Sequence, residues 1–482
     1  MNEILKNYSV PAGCFDEVVD DFDRDYSYYR RLFEIVGSLN IKNFKALTGI
    51  AKMSFLNQGI TYALYNKNES VEQIFPFDLI PRIIRKSEWE ILEKGIIQRN
   101  LALNTFLQDV YNEGKILKDK VIPANLVKSS VHYCSLMENF KPPKNIYCHI
   151  SGTDLIRHTD GEFYVLEDNL RNPSGVSYVL SNRIAMARVL PQVFEDTIIE
   201  PVFEYTDKLR SALWSLSGRD LGDIFCVLLT PGSFNSAYFE HTFLAQQMSI
   251  ELVEGRDLIV QDDFVYIQAI GGLIRVDVIY RRIDDAFLDS EVFRKDSMLG
   301  VKGLMRVYLK GNVTIVNAPG TGISDDKAIC SYVPDMIKYY LDEEPIISNV
   351  PTYICERPED LLYVREHIEE LVVKPVDMSG GYGVCICDQM TKSEIAELLV
   401  KIEANPRNFI AQPKMMLSTH CTFIEEEESF EPRHIDLRTF SIFGGDDPYV
   451  LAGGLTRTAL KKGNLIVNSS QGGGSKDTWV VN

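Results

Sequence analysis

Several common sequence signals are missing from this 482-residue chain. No run of about 18 apolar residues occurs, so no transmembrane helix is predicted. The nine cysteines are odd in number and scattered, and they form no C-x-x-C pair, which is typical of a reduced cytoplasmic protein. The first 30 residues are rich in aspartate and contain no apolar segment, so a secretory signal is not expected.

Positive charge is also scarce. Fifty Lys and Arg residues face 68 Asp and Glu residues, which gives a net charge of −18. Such a field disfavours a nucleic-acid backbone or an anionic membrane surface as a partner. It permits a small anionic ligand where lysines, arginines and backbone N–H groups are gathered locally. Basic residues beside glycines are therefore the informative positions.

The most common nucleotide-binding loops are absent as well. No G-x-x-x-x-G-K-[ST] occurs, because Ser475 precedes Lys476 in "QGGGSKD", and no G-x-G-x-x-G opens a helix. The sequence also contains no convincing Ser-His-Asp or Cys-His set, so it predicts no covalent protein nucleophile.

Hydrophobic periodicity predicts the organisation of the chain. Residues 1–125 read mainly as helix, with the clearest helical spacing over 88–114. Residues 146–170 alternate as a hairpin, and residues from 371 onward read as β-rich. Between them, strands alternate with helices, which predicts a parallel, doubly wound unit. The strands are expected at 224–232, 275–283 and 314–320, and the helices at 236–248 and 325–341.

Two lysines lie where an anion could bind. Lys374 ends the apolar run "LVVK", and the glycines of "GGYG" follow it at 380, 381 and 383. A lysine at a strand end near a glycine loop can place an ammonium and several N–H groups on one polyphosphate. Lys327 stands near a predicted helix start, where the helix dipole attracts anions. A snorkelling Lys374 beside a hairpin turn, and a solvated Lys327 after a cap at Ser324 or Asp325, remain the alternatives.

The C-terminal segment adds further anion donors. In "PRHIDLRTFSIF", His434, Asp436 and Arg438 share one face of a predicted strand. Arg457 follows a glycine pair, and Asn468 precedes three consecutive glycines. Surface strands carry arginines by chance, but a triple glycine costs order wherever nothing requires it.

Hard oxygen donors cluster on the predicted hairpin. In "YVLEDNLRNPSG", Glu167 and Asn169 are two residues apart and so point to one face, and Asp154 lies on the partner strand. Two carboxylates and an amide oxygen are ligands that Mg²⁺ prefers. The alternative is an exposed acidic hairpin end, which the buried Val165 beside Glu167 disfavours.

Together these motifs resemble the ATP-grasp ligases, and most closely the glutathione synthetases of the bacterial type. The resemblance rests on "GTDLIR", "EFYVLEDNLRNPSG", "LVVKPVDMSGGYG", "DDK", "DLRTF", "TRTAL" and "GNLIVNSSQGGG". In ordinary members the Glu-x-Asn motif follows the lysine and the glycine loop, whereas here it precedes them by about 200 residues. The chain therefore resembles the circularly permuted ATP-grasp type 2 family, whose relatives include glutathionylspermidine synthetase-like proteins.

The resemblance implies an α/β fold, namely a circularly permuted ATP-grasp fold with a doubly wound, Rossmann-like pre-ATP-grasp domain. It predicts a mainly helical region at 1–140, a metal-binding hairpin at 141–185, the Rossmann-like substrate domain at 186–320 and a nucleotide-binding lobe at 321–482. The permutation also predicts that the C-terminal strand near Trp479 runs beside the strand that begins at about Ile146.

The resemblance also implies the cofactors, ATP and Mg²⁺, and the residue roles. It implies Mg²⁺ at Asp154, Glu167 and Asn169; phosphate at Lys327, Lys374, Gly380, Gly381 and Gly383; adenine near Gln412; and catalytic roles for Arg438, Arg457 and Lys374. The substrates are expected at Arg171, Ser174, Asn235, Arg281, Arg282 and Asn468. Arg281 and Arg282 favour an acidic group in the acceptor, and Asp284 and Asp285 favour an amine, although either pair could form a structural ion pair.

The implied activity is that of an ADP-forming carbon–nitrogen ligase acting through an acyl phosphate. Its partners would be a small-molecule or peptide carboxylate and an amine acceptor. Two alternatives stay open from the residues. A phosphotransferase or dikinase would need a phosphate-accepting histidine, for which His241 and His434 are the candidates. A non-catalytic ATP-binding regulatory protein would have broken metal ligands, whereas all three are present.

Overall fold

A computed structural model describes residues 8–22, 28–66, 69–195, 197–378, 380–444, 447–467 and 472–482. The α-helices are α1 (Val19–Phe22), α2 (Tyr28–Ser38), α3 (Ile41–Asn57), α4 (Lys86–Tyr111), α5 (Lys115–Lys118), α6 (Ala124–Lys128), α7 (Val176–Val189), α8 (Glu204–Trp214), α9 (Tyr238–Met248), α10 (Asp285–Leu288), α11 (Leu304–Leu309), α12 (Lys327–Cys330), α13 (Val333–Leu341), α14 (Pro358–His367) and α15 (Lys392–Ala404). Within these ranges, no helix is both long enough and apolar enough to span a membrane.

The strands are β1 (Thr61–Asn66), β2 (Glu69–Ile74), β3 (Phe77–Arg85), β4 (Ile150–Arg157), β5 (Phe163–Asn169), β6 (Cys226–Thr230), β7 (Glu251–Glu254), β8 (Leu258–Gln261), β9 (Phe264–Ala269), β10 (Gly272–Val276), β11 (Val278–Arg281), β12 (Thr314–Val316), β13 (Ser348–Asn349), β14 (Tyr353–Ile354), β15 (Leu371–Pro375), β16 (Cys385–Ile386), β17 (Phe409–Pro413), β18 (Thr419–Ile424), β19 (Ser429–Ile442), β20 (Tyr449–Val450), β21 (Leu455–Thr458) and β22 (Gly474–Val481).

The largest sheet joins strands from distant parts of the sequence. Its order is β13-β5-β4-β19-β21-β22-β3, and β18 and β20 also pair with β19. The predicted hairpin is present as the antiparallel pair β4–β5, and β4 takes β19 as its other neighbour. A hairpin from the first half of the chain is therefore completed by strands from the last quarter, as a circular permutation requires.

The C-terminal strand does not lie where the sequence predicted. β22, which carries Trp479, pairs with β21 and, in parallel, with β3. Two strands, β19 and β21, separate it from β4, so the prediction that it runs beside the strand near Ile146 is wrong. The physical reason is that β3, an N-terminal strand buried along nearly its whole length, covers the free side of β22.

The helical N-terminal part contains more strand than its pattern indicated. The helix expected at 88–114 is present as α4, and α2 and α3 precede it, but β1, β2 and β3 interrupt the helices. The apolar run of β3, "FDLIPRIIR", does not alternate because its side chains are buried on both faces, so it carries no period-two signal. The division at residues 140, 185 and 320 stays a prediction.

The predicted Rossmann-like unit is a four-stranded parallel sheet with the order β12-β11-β6-β7. Alternate residues of β6 pack into different apolar clusters: Leu228 with Leu244 of α9, and Val227 with Leu304 of α11. Both faces of the sheet are thus covered, as in a doubly wound fold. The strand predicted at 275–283 is divided at Asp277, because β10 pairs with β9 in a separate antiparallel sheet and β11 pairs with β6 and β12.

A smaller antiparallel sheet, with the order β14-β17-β15-β16, carries Lys374 and Gln412. Helices α14 and α15 supply Val364, Leu398 and Ile402 to the core beneath it. The β-rich C-terminal segment therefore includes one substantial helix, α15, which a side-chain capping box between Thr391 and Glu394 begins.

Candidate functional site

The register of the largest sheet places the predicted hairpin residues on one face. Asp154 lies opposite Glu167, and Gly152 lies opposite Asn169. On the other side of β4, Asp154 pairs with Arg438 of β19. Because directly opposed residues share a face, a row of charged side chains crosses three neighbouring strands. The shared face predicted for Asp154 and Glu167 is confirmed.

Two arginines converge on the Asp154 carboxylate. Arg438 donates to it from Nε at 2.6 Å and from Nη2 at 2.7 Å, and Arg457 donates from Nη2 at 2.9 Å. Arg457 also donates from Nε to Asp436 at 2.8 Å. Burial alone would raise the pKa of Asp154, but the charges of Arg438 and Arg457 outweigh it and hold that pKa well below its ordinary value. Asp154 is therefore a buried anion that fixes both arginines.

Glu167 and Asn169 have oxygen atoms that are free to bind a cation. Glu167 lies 3.4 Å from Lys327 Nζ and 3.9 Å from Arg438 Nη2, and its carboxylate accepts no hydrogen bond from the described residues. Asn169 uses its Nδ2 toward Gly152 O at 3.5 Å, and its Oδ1 is likewise without a donor in the described part of the chain.

The oxygen donors of Glu167, Asn169 and Asp154 are of the type that Mg²⁺ binds, but Asp154 has fewer acceptor positions available than predicted. A carboxylate offers about four acceptor positions, and the two arginines use three of those on Asp154. Glu167 and Asn169 are thus the more available ligands. The described residues contain no cluster of three His, Cys, Asp or Glu side chains arranged for a metal, so an amide oxygen is required to complete the set.

A first cleft lies between the small sheet and the large sheet. Lys374 and Gln412 line it together with Lys327, and much of the remaining lining is apolar. The apolar residues include Ile156, Leu166, Val372, Ile386, Leu417, Leu465 and Val467. Lys374 Nζ donates to Gln412 Oε1 at 2.7 Å, and Lys327 Nζ donates to the carbonyl of Met378. Burial lowers the pKa of Lys374 to about 8, against an opposing effect of Glu167.

The glycine loop covers this cleft. Gly380 and Gly381 line it, with the neighbouring Tyr382, and all three loop glycines have positive φ. Gly383 lies outside the lining, but a Cβ there would approach Pro375 Cγ within 2.8 Å. The loop can therefore follow its path only with glycine at this position.

A second, more polar cleft opens from the first. Arg171, Ser174, Asn235 and Arg282 line it, as predicted for substrate residues. The two clefts share five lining residues: Glu167, Lys327, Met378, Gly380 and Arg457. A molecule in one cleft would therefore meet a molecule in the other beside Lys327, Arg457 and the Glu167 carboxylate.

Arg171 is a cleft arginine with unused donors. Its guanidinium makes no hydrogen bond with the described residues and lies 3.5 Å from Asp284 and 3.6 Å from Asp325. Asp325 accepts a hydrogen bond from Leu170 N at 2.6 Å, which holds the chain before Arg171. Burial raises the pKa of Asp325 to about 6, although Arg171 opposes the shift.

Arg282 reaches the second cleft, but both of its terminal nitrogens donate to the protein, and its Nε is buried without a partner among the described residues. It donates to Ser174 Oγ at 2.6 Å, Glu240 Oε1 at 2.7 Å and the carbonyl of Pro173 at 2.7 Å. Glu240, which is fully buried, accepts from Gly175 N at 2.7 Å. The pair thus fixes the Pro-Ser-Gly turn that begins α7.

One predicted substrate residue, Arg281, is not brought to the site. Arg281 is fully buried and donates to the carbonyls of Asn317, Ile283 and Ala318, with Asp285 as its ion-pair partner. Arg281 is the last residue of β11 and Arg282 follows it, and of the two only Arg282 lines the second cleft. Asn468 lies outside the described residues.

The sequence motifs did not point to Arg99 of α4, which contacts the hairpin through Asp168. Arg99 is 1% exposed and donates from Nε to both oxygens of Asp168, at 2.9 and 2.8 Å. A signal was present in the sequence: Arg99 occupies a position of the apolar stripe of α4, between Ile96 and Leu103. A charge on the buried face of a helix requires a partner.

Comparisons with known proteins agree with this geometry. Residues 81–459 match the family described as circularly permuted ATP-grasp type 2. A Synechocystis protein described as uncharacterized is 49% identical over 99% of this chain and 98% of its own length. A Frankia alni protein provisionally named glutamate–cysteine ligase 2-3 is 38% identical over 99% of this chain, which spans 54% of that relative.

A solved structure shares the fold. The apo form of the glutathione synthetase-like effector GSS30 from Globodera pallida aligns with a TM-score of 0.61 and 12% identity, over 92% of this chain and 98% of its own. At that identity the likeness concerns architecture alone. The family match spans the hairpin, both lysines and both arginines. This chain therefore belongs to the circularly permuted ATP-grasp type 2 family.

Proposed function

We propose that this protein is an ADP-forming, ATP-dependent ligase that joins a carboxylate to an amine through an acyl phosphate. Membership of the ATP-grasp family and the name of the Frankia relative support the ligase class. The observation that carries the proposal is the junction of the two clefts at Glu167, Lys327 and Arg457, where an apolar slot opens into a polar cleft.

In this proposal the first cleft holds ATP. Its apolar walls accommodate a base, and Gln412 lies among them. Lys374 and Lys327 neutralise the phosphates, and the loop glycines allow the backbone to approach them. Among the described residues Lys374 donates a hydrogen bond to Gln412 alone, so its other N–H groups can bind phosphate oxygens.

Mg²⁺, when bound, would neutralise phosphate charge and hold the transferring group in line. Glu167 and Asn169 would hold it, with Asp154 as the third candidate. The metal ligands, ATP contacts and substrate contacts are all part of the proposal.

The arginines Arg438 and Arg457 would stabilise the transferring phosphoryl group. Asp154 holds each of them by a hydrogen bond, so their orientation is fixed before the substrate arrives. Such preorganised charge acts where negative charge develops and needs no rearrangement during the reaction. Arg171 would bind the carboxylate of a substrate in the second cleft, because its guanidinium keeps unused donors. The Ser174 and Asn235 side chains would orient the same molecule.

The two histidines do not favour a dikinase. His241 lines the second cleft but is 1% exposed, and its Nδ1 is hydrogen-bonded to Thr230 Oγ1 at 2.8 Å. Burial and the nearby Arg282 lower the pKa of His241 well below its ordinary value. His434 is buried and hydrogen-bonded to the carbonyl of Leu417. Neither presents the accessible nitrogen that a phosphoryl acceptor needs.

The test is a substrate screen. The protein is incubated with ATP, Mg²⁺ and pools of amino acids, small peptides and polyamines, and the products are separated by mass spectrometry with a parallel assay for ADP and AMP. A new mass that equals the sum of two pool members minus water, formed together with ADP, is expected. ADP formation without any joined product in every pool, or AMP in place of ADP, would refute the ligase assignment.

A further inference from the structure

One buried arginine contacts both elements that carry the proposed metal and phosphate groups. Arg99 lies in the middle of α4 and is 1% exposed. Its Nε is 2.9 and 2.8 Å from the two carboxylate oxygens of Asp168, and its Nη2 is 2.7 Å from Oδ2. An anionic partner is what permits the burial of a guanidinium. Arg99 also makes contacts beyond this ion pair, which burial of its charge does not require.

Asp168 connects the arginine to the hairpin. It stands between Glu167 and Asn169 on β5, and side-chain alternation directs it to the opposite face of the strand. Its Oδ1 also accepts a hydrogen bond from Thr153 Oγ1 at 3.1 Å, and Thr153 is its cross-strand partner on β4. The Arg99–Asp168 pair therefore fixes both hairpin strands directly behind the proposed metal ligands.

The other guanidinium nitrogens reach the helix of Lys327. Nη2 contacts Cys330 Sγ at 3.8 Å, and Cys330 is the last residue of α12, which Lys327 begins. Nη1 donates to Asn349 Oδ1 at 2.6 Å, and Asn349 Nδ2 donates to the carbonyl of Cys330 at 3.1 Å. Cys330 Sγ lies 3.4 Å from Asp168 Oδ2, which closes the network.

We propose that Arg99 is a positioning residue that fixes Glu167 and Asn169 relative to Lys327, and so sets the affinity of the site for a divalent cation bound with a nucleoside triphosphate. The inference rests on the proposed function. Hydrogen bonds behind metal ligands fix the ligand geometry, and their loss costs about 10–100-fold in metal affinity. Mg²⁺-type sites are sensitive to such changes because they demand near-ideal geometry.

The chemistry of the side chain explains why arginine is required there. A guanidinium is a planar fork with five N–H groups, so it can bind a carboxylate and two further acceptors in fixed directions. A lysine would keep the charge beside Asp168 but could not span Asn349 and Cys330 at the same time. Arg99→Lys therefore separates charge compensation from positioning.

Arg183 offers a matched control. It is also a buried arginine with an aspartate partner, because its Nε donates to Asp477 Oδ2 at 2.8 Å. Its Nη1 and Nη2 donate to the carbonyls of Glu200 and Thr478. None of these partners belongs to the proposed site. Arg183→Lys thus reproduces the loss of a buried guanidinium without touching the hairpin or α12.

The experiment measures metal binding without turnover. Free Mn²⁺ is titrated by electron paramagnetic resonance against the full chain in the presence of AMP-PNP, a non-hydrolysable ATP analogue. We expect Arg99→Lys to raise the Mn²⁺ dissociation constant about 10–100-fold, and Arg183→Lys to leave it within about threefold of wild type. Thermal unfolding midpoints of both variants confirm that they remain folded.

The outcomes separate the two proposals. A wild-type protein that binds neither AMP-PNP nor Mn²⁺ with it would refute the proposed function itself. If the wild type binds both, the role of Arg99 alone can be tested. An unchanged Mn²⁺ dissociation constant in Arg99→Lys would overturn that role, and so would an equal rise of the constant in Arg183→Lys. If Arg99→Lys does not fold, Cys330→Ala and Asn349→Ala serve instead, because each leaves the Arg99–Asp168 pair intact. A wild-type Mn²⁺ constant in both would overturn the inference, and a rise in either supports it.

Discussion

Lys374 Nζ donates a hydrogen bond to Gln412 Oε1 at 2.7 Å, across the neighbouring strands β15 and β17. The acceptor is a neutral amide oxygen, which stabilises the charged ammonium group of Lys374 less than a carboxylate would. Burial consequently lowers its pKa from 10.5 to about 8, and Lys327 adds to the shift. A lysine in this state gains most from an incoming anion, because a phosphate restores the charge that burial disfavours.

The first prediction follows from this pKa. Affinity for ATP should fall by up to about tenfold per pH unit as the pH rises above 8, since the free protein must regain the proton on Lys374 to bind phosphate. Isothermal titration with an ATP analogue between pH 6.5 and 9.5 measures the slope. Lys374→Arg, which stays charged, should give a flat profile, and equal slopes in both proteins would contradict the assignment.

Unfolding of the protein should not be the cause of the lower ATP affinity above pH 8. The unfolded chain keeps Lys374 protonated up to its ordinary value of 10.5, whereas the folded protein releases the proton near 8. Between these values the unfolded state binds more protons, so the contribution of Lys374 to the free energy of unfolding rises with pH. Thermal unfolding across the same range is the control.

The second prediction concerns the metal ligands. Glu167→Gln should lower ATP turnover at least about 100-fold while leaving the unfolding midpoint near wild type, because the Glu167 carboxylate makes no hydrogen bond within the described structure. Asn169→Ala should behave in the same way. The control is Glu162→Gln, which changes an exposed residue just before β5. Wild-type turnover in the Glu167 variant would exclude Mg²⁺ at this position.

The third prediction concerns Arg457, which lies between two buried carboxylates. Arg457→Ala would leave Asp436 without its ion-pair partner and Asp154 with Arg438 alone, and should cost about 3–5 kcal/mol of stability, so the informative variant is Arg457→Lys. It should lower kcat about 100-fold and change ATP affinity by less than about threefold, because its role is at the transferring group. A variant that loses ATP affinity but reacts normally at saturating ATP would reverse the assignment.

The fourth prediction compares Arg171 and Arg281, which the sequence predicted alike to be substrate residues. Arg171→Met should raise the KM of the carboxylate substrate at least about tenfold with little change in stability, since its guanidinium makes no hydrogen bond with any residue that the structure describes. Arg281→Met should instead destabilise the fold by about 3–5 kcal/mol, because a buried ion pair is broken. Chemical denaturation measures the free energy of unfolding of both variants, and steady-state kinetics measures their KM for the carboxylate. A raised KM in a folded Arg281→Met variant would show that Arg281 does contribute to substrate binding.

The fifth prediction concerns the intermediate. If the carboxylate attacks the γ-phosphate, one ¹⁸O atom of a labelled carboxylate substrate bridges to phosphorus, and it leaves with inorganic phosphate when the amine attacks the acyl carbon and breaks the C–O bond. The ³¹P NMR signal of the released phosphate should show the isotope shift in step with ADP formation. Unlabelled phosphate, or pyrophosphate with AMP, would exclude the acyl-phosphate route.

Several features could be predicted from the sequence because their cause is local. The face shared by Glu167 and Asn169 follows from strand alternation, and the register with Asp154 confirms it. The glycine loop after Lys374 and the order of the motifs along the chain are likewise properties of the sequence itself, and the order is what distinguishes a permuted ATP-grasp protein from an ordinary one.

Only the tertiary structure decided the rest, because it depends on which distant strands become neighbours. Pairing of β4 with β19 gives Asp154 its two arginines and turns a predicted metal ligand into the group that fixes them. Burial separates Arg281, whose donors satisfy carbonyl groups, from Arg171, whose donors stay unused. The same holds for Arg99: the sequence shows a charge on an apolar stripe, and only non-local packing reveals that its partners lie on the strand of Glu167 and the helix of Lys327.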